Sequence, residues 1–94
     1  MRMKRDAYKK RLLRARKAAE KKLREAGYIS FEIDDPSYPA SLIALDPETE
    51  RAKLVRICLT ETELSYLGKL KRAEIRTEIW FRQAGETSFQ IIKI

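Results

Sequence analysis

The sequence predicts a single α/β domain of the α+β kind, in which two helices flank a mixed β-sheet in the order α-β-β-β-α-β-β. Apolar residues recur at helical spacing in residues 6–26 and again after residue 60. Between and after these segments, short runs of alternating or fully apolar residues indicate five strands. Ninety-four residues suffice for one domain, spanning 1–94, with a modest hydrophobic core.

Composition narrows the classes of function open to the chain. No apolar run approaches the ~18 residues that a membrane span needs, and the basic N-terminus lacks the apolar stretch of a secretory signal. The sequence has no histidine, which excludes histidine-based acid–base catalysis and ordinary zinc sites. A single cysteine cannot form an internal disulfide, so we expect a cytoplasmic protein. The absence of asparagine beside abundant Lys, Arg and Glu favours a thermophilic source.

The first element is a strongly basic helix, predicted over residues 6–26. Asp6 is expected to cap its start and Gly27 to end it, and residues 1–5 form a basic tail that we expect to be disordered. Residues 1–26 hold twelve Lys or Arg and three Asp or Glu, whereas residues 27–94 hold nine and eleven, so the whole positive excess lies on this element. An apolar stripe faces the core and comprises Tyr8, Leu12, Ala15, Ala19, Leu23 and Ala26. The remaining surface carries the candidate nucleic-acid-binding cations Lys9, Lys10, Arg14, Arg16, Lys17, Lys21, Lys22 and Arg24.

The sheet and the second helix follow from local patterns. In the first strand, Ile29, Phe31 and Ile33 are expected to face the core. Thr60 and Glu63 match a capping box, which predicts that a second helix starts there and runs to about residue 73. The five predicted strands cover residues 28–34, 40–45, 53–59, 77–83 and 88–94.

The third predicted strand, 53–59, is apolar on both faces apart from Arg56, which is typical of a central strand. A cation in such a strand is costly unless it is paired or reaches water. We therefore expect Glu32 or Asp34 to neutralise Arg56.

This element order resembles the core of the PD-(D/E)xK nuclease superfamily, and it is similar in particular to archaeal Holliday junction resolvases and related phage nucleases. The segments that carry the resemblance are 23–28 (LREAGY), 40–44 (ASLIA), 56–58 (RIC) and 78–94, with its closing hairpin. The resemblance implies a restriction-endonuclease-like core, DNA as the partner, a two-fold homodimer and an archaeal or viral source. Trp80, Phe81 and the last strand are the expected dimer interface.

The residues that hold magnesium in that superfamily are replaced in this sequence. Ser41 stands where the second strand carries a carboxylate, and Arg56 and Cys58 stand where the third strand carries Glu and Lys. Magnesium requires hard oxygen ligands, and a guanidinium repels it. These three degenerate positions predict a nuclease-like fold with no catalytic residues, no metal and no cofactor.

The sequence therefore favours a non-catalytic nucleic-acid-binding or assembly protein that contacts phosphates through its basic first helix. One alternative is an active magnesium-dependent DNA nuclease or junction resolvase that uses relocated carboxylates. Another is a structural partner subunit of an active nuclease. The basic helix also fits a solvated surface, a protein partner or, less well, an anionic membrane surface.

Overall fold

The computed structural model describes residues 5–33, 41–68, 76–83 and 85–93, and it has the predicted α+β architecture. Within these ranges the order is α-β-β-β-α-β-β, as expected. The elements are α1 (Arg5–Glu25), β1 (Ile29–Ile33), β2 (Ser41–Asp46), β3 (Arg51–Cys58), α2 (Glu61–Gly68), β4 (Thr77–Phe81) and β5 (Gln90–Lys93). Residues 1–4 of the predicted tail, and the end of the second helix predicted after Gly68, lie outside the described residues. Arg5 already belongs to α1.

The five strands form one mixed sheet in the order β1-β2-β3-β4-β5, with β3 at the centre as predicted. Strands β1, β2 and β3 pair antiparallel, and β4 pairs with β5 in the same way. Because α2 carries the chain across the sheet, β4 lies parallel to β3. Neither described helix is long and apolar enough to cross a membrane.

The C-terminus of α1 closes in a Schellman motif at Gly27. The Tyr28 N–H donates to the Leu23 carbonyl at 2.9 Å, and the Gly27 N–H donates to the Arg24 carbonyl at 3.0 Å. Gly27 has φ of 92°, the left-handed conformation expected of it. Ala26 is exposed rather than part of the apolar stripe, because the helix has already ended at Glu25.

Two hydrophobic clusters cover opposite faces of the sheet. On the α1 face, the Ala15, Ala19 and Leu23 side chains are buried in a cluster with β2, β3 and Trp80. On the α2 face, Cys58, Ile79 and Phe81 are buried together, with Leu64 packed against them. The predicted alternation within β3 and β4 is therefore confirmed, and Cys58 is a small core residue.

The orientation predicted for β1 is wrong. Ile29 and Phe31 lie on the α2 face and are 47% and 51% exposed, whereas Glu32 lies on the α1 face. Helix α1 packs against β1 and β3 from one side, while α2 packs against β4 on the other. Helix α2 packs on this face against β4, which is three strands away from β1 in the sheet. The apolar side of β1 therefore stays in contact with solvent.

Candidate nucleic-acid interface

The outer surface of α1 carries a continuous line of cations, which we call the basic ridge. Its members are exposed and lie at successive spacings of 4, 3, 4 and 3 residues, which keeps them on one side of the helix. At about 1.5 Å per residue, the ridge is roughly 21 Å long. The basic ridge consists of Lys10, Arg14, Lys17, Lys21 and Arg24.

Packing holds the basic ridge in place. Ala15, Ala19 and Leu23 on the opposite side of α1 are 0%, 0% and 1% exposed. Small alanine side chains let the helix axis approach the sheet closely, so the helix is fixed along most of its length. The ridge therefore presents its charges from a rigid element.

The structure separates the eight predicted cations into two groups. Lys9 and Lys22 are exposed like the ridge residues, although they lie to either side of it. Arg16 is different, since its guanidinium lies 3.4 Å from the Glu32 carboxylate and 3.8 Å from that of Glu20. Arg16 therefore links α1 to β1 and is not a member of the basic ridge.

Glu20 and Glu32 meet beside Arg16 in a small carboxylate pair. Burial, followed by the hydrogen bond and negative charge of Glu32, raises the pKa of the Glu20 carboxyl, and the Arg16 and Arg24 charges oppose this. Both carboxylates lie at the junction of α1 and β1, beside Arg16. They therefore do not neutralise the cations of the basic ridge.

A cleft of about 140 Å³ opens at the end of the sheet near Leu59. It is lined by Arg11 and Arg14 of α1 and by Arg82, which follows β4. The guanidinium carbon of Arg82 lies 5.0 Å from the centroid of the Phe89 ring. Arg14 belongs both to this cleft, which we call the arginine cleft, and to the basic ridge.

A second basic cleft of about 170 Å³ lies at the opposite end of the sheet, where Tyr28, Arg51, Lys53 and Arg76 contribute to its walls. Lys53 is nearly buried, and its Nζ lies 2.9 Å from Oε1 of Glu78 and 4.3 Å from the centroid of the Tyr28 ring. Arg76 lies 3.8 Å from the other oxygen of the same carboxylate. This cleft is therefore organised around an internal ion pair.

Glu78 is the most deeply buried acid described, at 2% exposure. Burial alone would raise the pKa of its carboxyl, but the hydrogen bonds from Lys53 and Trp80 and the charges of Lys53 and Arg76 hold that pKa below its ordinary value. The Trp80 Nε1–H donates to Oε1 of Glu78 at 3.1 Å. Sequence reasoning missed this cluster because Glu78 and Lys53 come from strands 25 positions apart.

The three degenerate positions come together on the α2 face. Ser41 lies opposite Arg56 in the β2–β3 ladder, and Cys58 is two residues further along the same face. Ser41 and Cys58 are buried, and Arg56 is half-buried. Burial raises the pKa of the Cys58 thiol, which donates to the Thr60 carbonyl at 3.2 Å. Among the described residues, no group of three or more His, Cys, Asp or Glu is placed to hold a metal ion.

The expected pairing of Glu32 with Arg56 does not match the register. Glu32 is aligned with Leu42 and Val55 on the α1 face, whereas Arg56 projects from the α2 face. Asp34, the other candidate partner, lies outside the described residues. Arg56 does engage another group in the structure.

Of the residues expected at a dimer interface, Trp80 and Phe81 are buried within the chain itself, whereas the last strand β5 is largely exposed, with Ile91 at 43%. Trp80 and Phe81 are 3% and 7% exposed, and Trp80 packs against the Phe89 ring at 5.3 Å between centroids. The exposed apolar side chains on strands β1 and β2 are instead Ile29, Phe31 and Ile43. A dimer through Trp80 would therefore have to open the core.

Comparison of the chain with protein-family models, with curated proteins and with solved structures finds no match.

Proposed function

We propose that this protein binds nucleic acid, that the basic ridge of α1 contacts the phosphate backbone, and that the protein does so without cleaving it. The observation that carries the proposal is the alignment of five exposed cations along one side of a rigidly packed helix. Lysine and arginine at such positions bind phosphates without reading sequence. The proposed role is therefore positioning or assembly on nucleic acid.

The dimensions of the ridge suit this role. Phosphates of one DNA strand follow one another at about 3.4 Å along the duplex axis. A ridge of roughly 21 Å therefore spans about six phosphates, close to the number of cations available. A solvated surface would gain nothing from such alignment, and it would more often mix acidic and basic side chains.

The proposed fold relationship remains that of a PD-(D/E)xK nuclease core with a degenerate site. Arg56 next to Ser41 and Cys58 supports the non-catalytic reading, because a guanidinium repels a divalent cation and thiol and hydroxyl groups are poor ligands for magnesium. We expect neither Mg²⁺ nor Mn²⁺ to support cleavage of duplex or branched DNA. Metal-dependent nicking of either substrate would instead favour the nuclease alternative.

Two charge-matched double variants test the ridge. Lys17→Gln/Lys21→Gln removes two ridge cations, and Arg51→Gln/Lys93→Gln removes two exposed cations away from α1. Binding of a labelled duplex is measured by fluorescence anisotropy for both variants at several salt concentrations. We expect the ridge variant to lose most of the affinity, and its dependence of log K on log salt to flatten by about 1.8.

Both variants lower the net charge of the protein by two. A difference in affinity between them therefore reports contact with the ridge rather than the change in net charge. Equal loss of affinity in the two variants would contradict the ridge as the contact surface. Unchanged affinity in the ridge variant would contradict it as well. Circular dichroism of both variants confirms that α1 is still folded.

A further inference from the structure

The arginine cleft joins three guanidinium groups from two parts of the chain. Arg11 and Arg14 come from successive turns of α1, and Arg82 comes from the segment after β4. Gln83, Gly85 and Glu86 complete one wall, and Leu59 contributes an apolar surface. The lining therefore includes three arginines and one acid, Glu86.

Arg82 is held in place before any ligand arrives. Its backbone N–H donates to the Cys58 carbonyl at 3.0 Å, which extends the parallel pairing of β3 and β4 by one residue. Its guanidinium lies over the Phe89 ring, and that ring packs on the buried Trp80. A cation that is already positioned loses less conformational entropy when it binds an anion.

Two residues of the neighbouring wall, Gln83 and Glu86, also make hydrogen bonds. The Gln83 Nε2 donates to Oε1 of Glu61 at 3.1 Å, which ties this wall of the cleft to the first turn of α2. The Glu86 N–H donates to the Gln83 carbonyl at 3.1 Å, closing a turn that brings Glu86 to the cleft. Glu86 is the acid that an incoming anion would face.

The size of the cleft limits what it can hold. Its volume of about 140 Å³ is well below the roughly 300–1,000 Å³ of sites that take drug-sized ligands. The cleft suits a small anionic group rather than a whole nucleotide.

Arginine-rich surroundings select the type of anion. Guanidinium forks match the oxygens of phosphate, and several forks suit a group with more than one negative charge. A phosphate monoester carries about −1.5 to −2 at neutral pH, whereas a backbone diester carries a single charge and has chain on both sides. By charge, the cleft therefore suits a terminal monoester better than a backbone diester.

We propose that the arginine cleft binds the terminal phosphate monoester of a nucleic-acid strand whose backbone lies along the basic ridge. This inference rests on the proposed function, because Arg14 belongs to both surfaces and links the strand end to the ridge. The second basic cleft is the weaker candidate, because Asp46 in its lining and Glu78 beside Lys53 and Arg76 offset its cations. The protein accordingly recognises strand ends in addition to backbone.

The test compares three oligonucleotides of one sequence that carry an internal fluorophore. One has a 5′ phosphate, one has a 3′ phosphate, and one has hydroxyl groups at both ends. Their affinities are measured for the wild type, for Arg82→Gln and for Arg51→Gln, which removes one cation from the other cleft. We expect the wild type to bind one phosphorylated form about three- to tenfold more tightly than the unphosphorylated form.

Arg82→Gln is expected to abolish this preference while it leaves binding of the unphosphorylated strand nearly unchanged. Arg51→Gln is expected to keep the preference. Phe89→Leu keeps the charge of Arg82 but removes the ring that orients it, and it should reduce the preference partially. Equal binding of all three oligonucleotides by the wild type, or a preference that survives Arg82→Gln, would overturn the proposal.

A titration with inorganic phosphate, followed by NMR, tests the cleft without any strand. We expect the Arg82 Nε–H and Gly85 N–H signals to shift in the wild type, and the Gly85 shift to vanish in Arg82→Gln. Shifts spread evenly over the lysines of α1 would overturn the cleft. If no oligonucleotide binds but phosphate shifts these two signals, the ridge proposal fails and the anion site stands.

Discussion

The residue that most distinguishes this core from an ordinary one is Glu78. Its carboxylate is buried between Lys53, Trp80 and Arg76, so a charge lies inside a hydrophobic cluster. A buried ion pair gives little net stability compared with apolar residues, yet removal of one partner leaves an uncompensated charge. The pair joins β3 to β4 next to the place where their parallel pairing begins.

Lys53→Met isolates that effect. We expect the free energy of unfolding to fall by about 3 kcal/mol, because Glu78 keeps its charge but loses its nearest cation. The double variant Lys53→Met/Glu78→Gln should recover part of the loss, since the Gln carbonyl still accepts from Trp80. Urea unfolding of the wild type, Lys53→Met, Glu78→Gln and the double variant gives the coupling energy between the two side chains.

Arg51→Met is the matched control for the double-mutant cycle of Lys53 and Glu78. Arg51 lies two residues earlier on the same side of β3, but it is exposed. We expect it to change the free energy of unfolding by less than about 0.5 kcal/mol. A loss in Lys53→Met that is no larger than this, or a double variant with no recovery, would refute the view that the pair is coupled.

Acid should weaken the fold through Glu78. Its pKa is lower in the folded protein than the ordinary glutamate value of 4.5, so the folded state binds this proton less readily than the unfolded state. The stabilisation is therefore complete above that ordinary value and is lost as the pH falls through the lower folded pKa. In urea unfolding, the stability difference between wild type and Glu78→Gln should shrink steadily below pH 4.5. A difference that is constant or that grows in acid would contradict this assignment.

At the scale of elements, a hydrogen bond links the two helices across the end of the sheet. The Tyr8 hydroxyl of α1 donates to Oε1 of Glu63 at 2.5 Å, and Glu63 lies in the first turn of α2. Burial is the largest cause that raises the pKa of the Tyr8 phenol, followed by the hydrogen bond to Glu63. The predicted cap is present as well, since the Glu63 N–H donates to Oγ1 of Thr60 at 3.1 Å.

Tyr8→Phe removes this link and keeps the ring. A hydrogen bond to a charged group contributes about 1.5–3 kcal/mol, so we expect a loss of about 2 kcal/mol in the free energy of unfolding. Tyr28→Phe is the control, because it also removes one hydroxyl group and keeps the aromatic ring that faces Lys53. Equal effects of the two substitutions in urea unfolding would show that the Tyr8–Glu63 contact contributes nothing specific.

The sequence predicts the elements well because their signals are local. Gly27 ends α1 where the helical spacing stops, and the run around Val55 identifies the central strand. Alternation distinguishes the two faces of β1, but it does not say which face a helix will cover. Phe31 was expected to be buried because it lies on the apolar face, yet α1 covers the other face. The burial of Lys53 could not be predicted, because lysine is rarely buried and its partner Glu78 comes from a later strand.

At the scale of the whole molecule, the distribution of charge separates α1 from the rest of the chain. The net charge of +7 arises entirely in residues 1–26, and the structure turns the basic ridge away from the sheet. Arg16 departs from the pattern because it binds Glu20 and Glu32, a pairing that only the packing of α1 on β1 reveals. The degenerate positions Ser41, Arg56 and Cys58 lie together on the opposite face of the sheet.

The most direct test of the account is the salt dependence of duplex binding by the unaltered protein. Five ridge cations that each displace a counterion predict a slope of log K against log salt of about −4.5 on duplex DNA. The slope should be about −3.5 on a single strand, and it should not depend on sequence. A slope near zero, or no binding at low salt, would contradict the assignment of the basic ridge as a nucleic-acid interface.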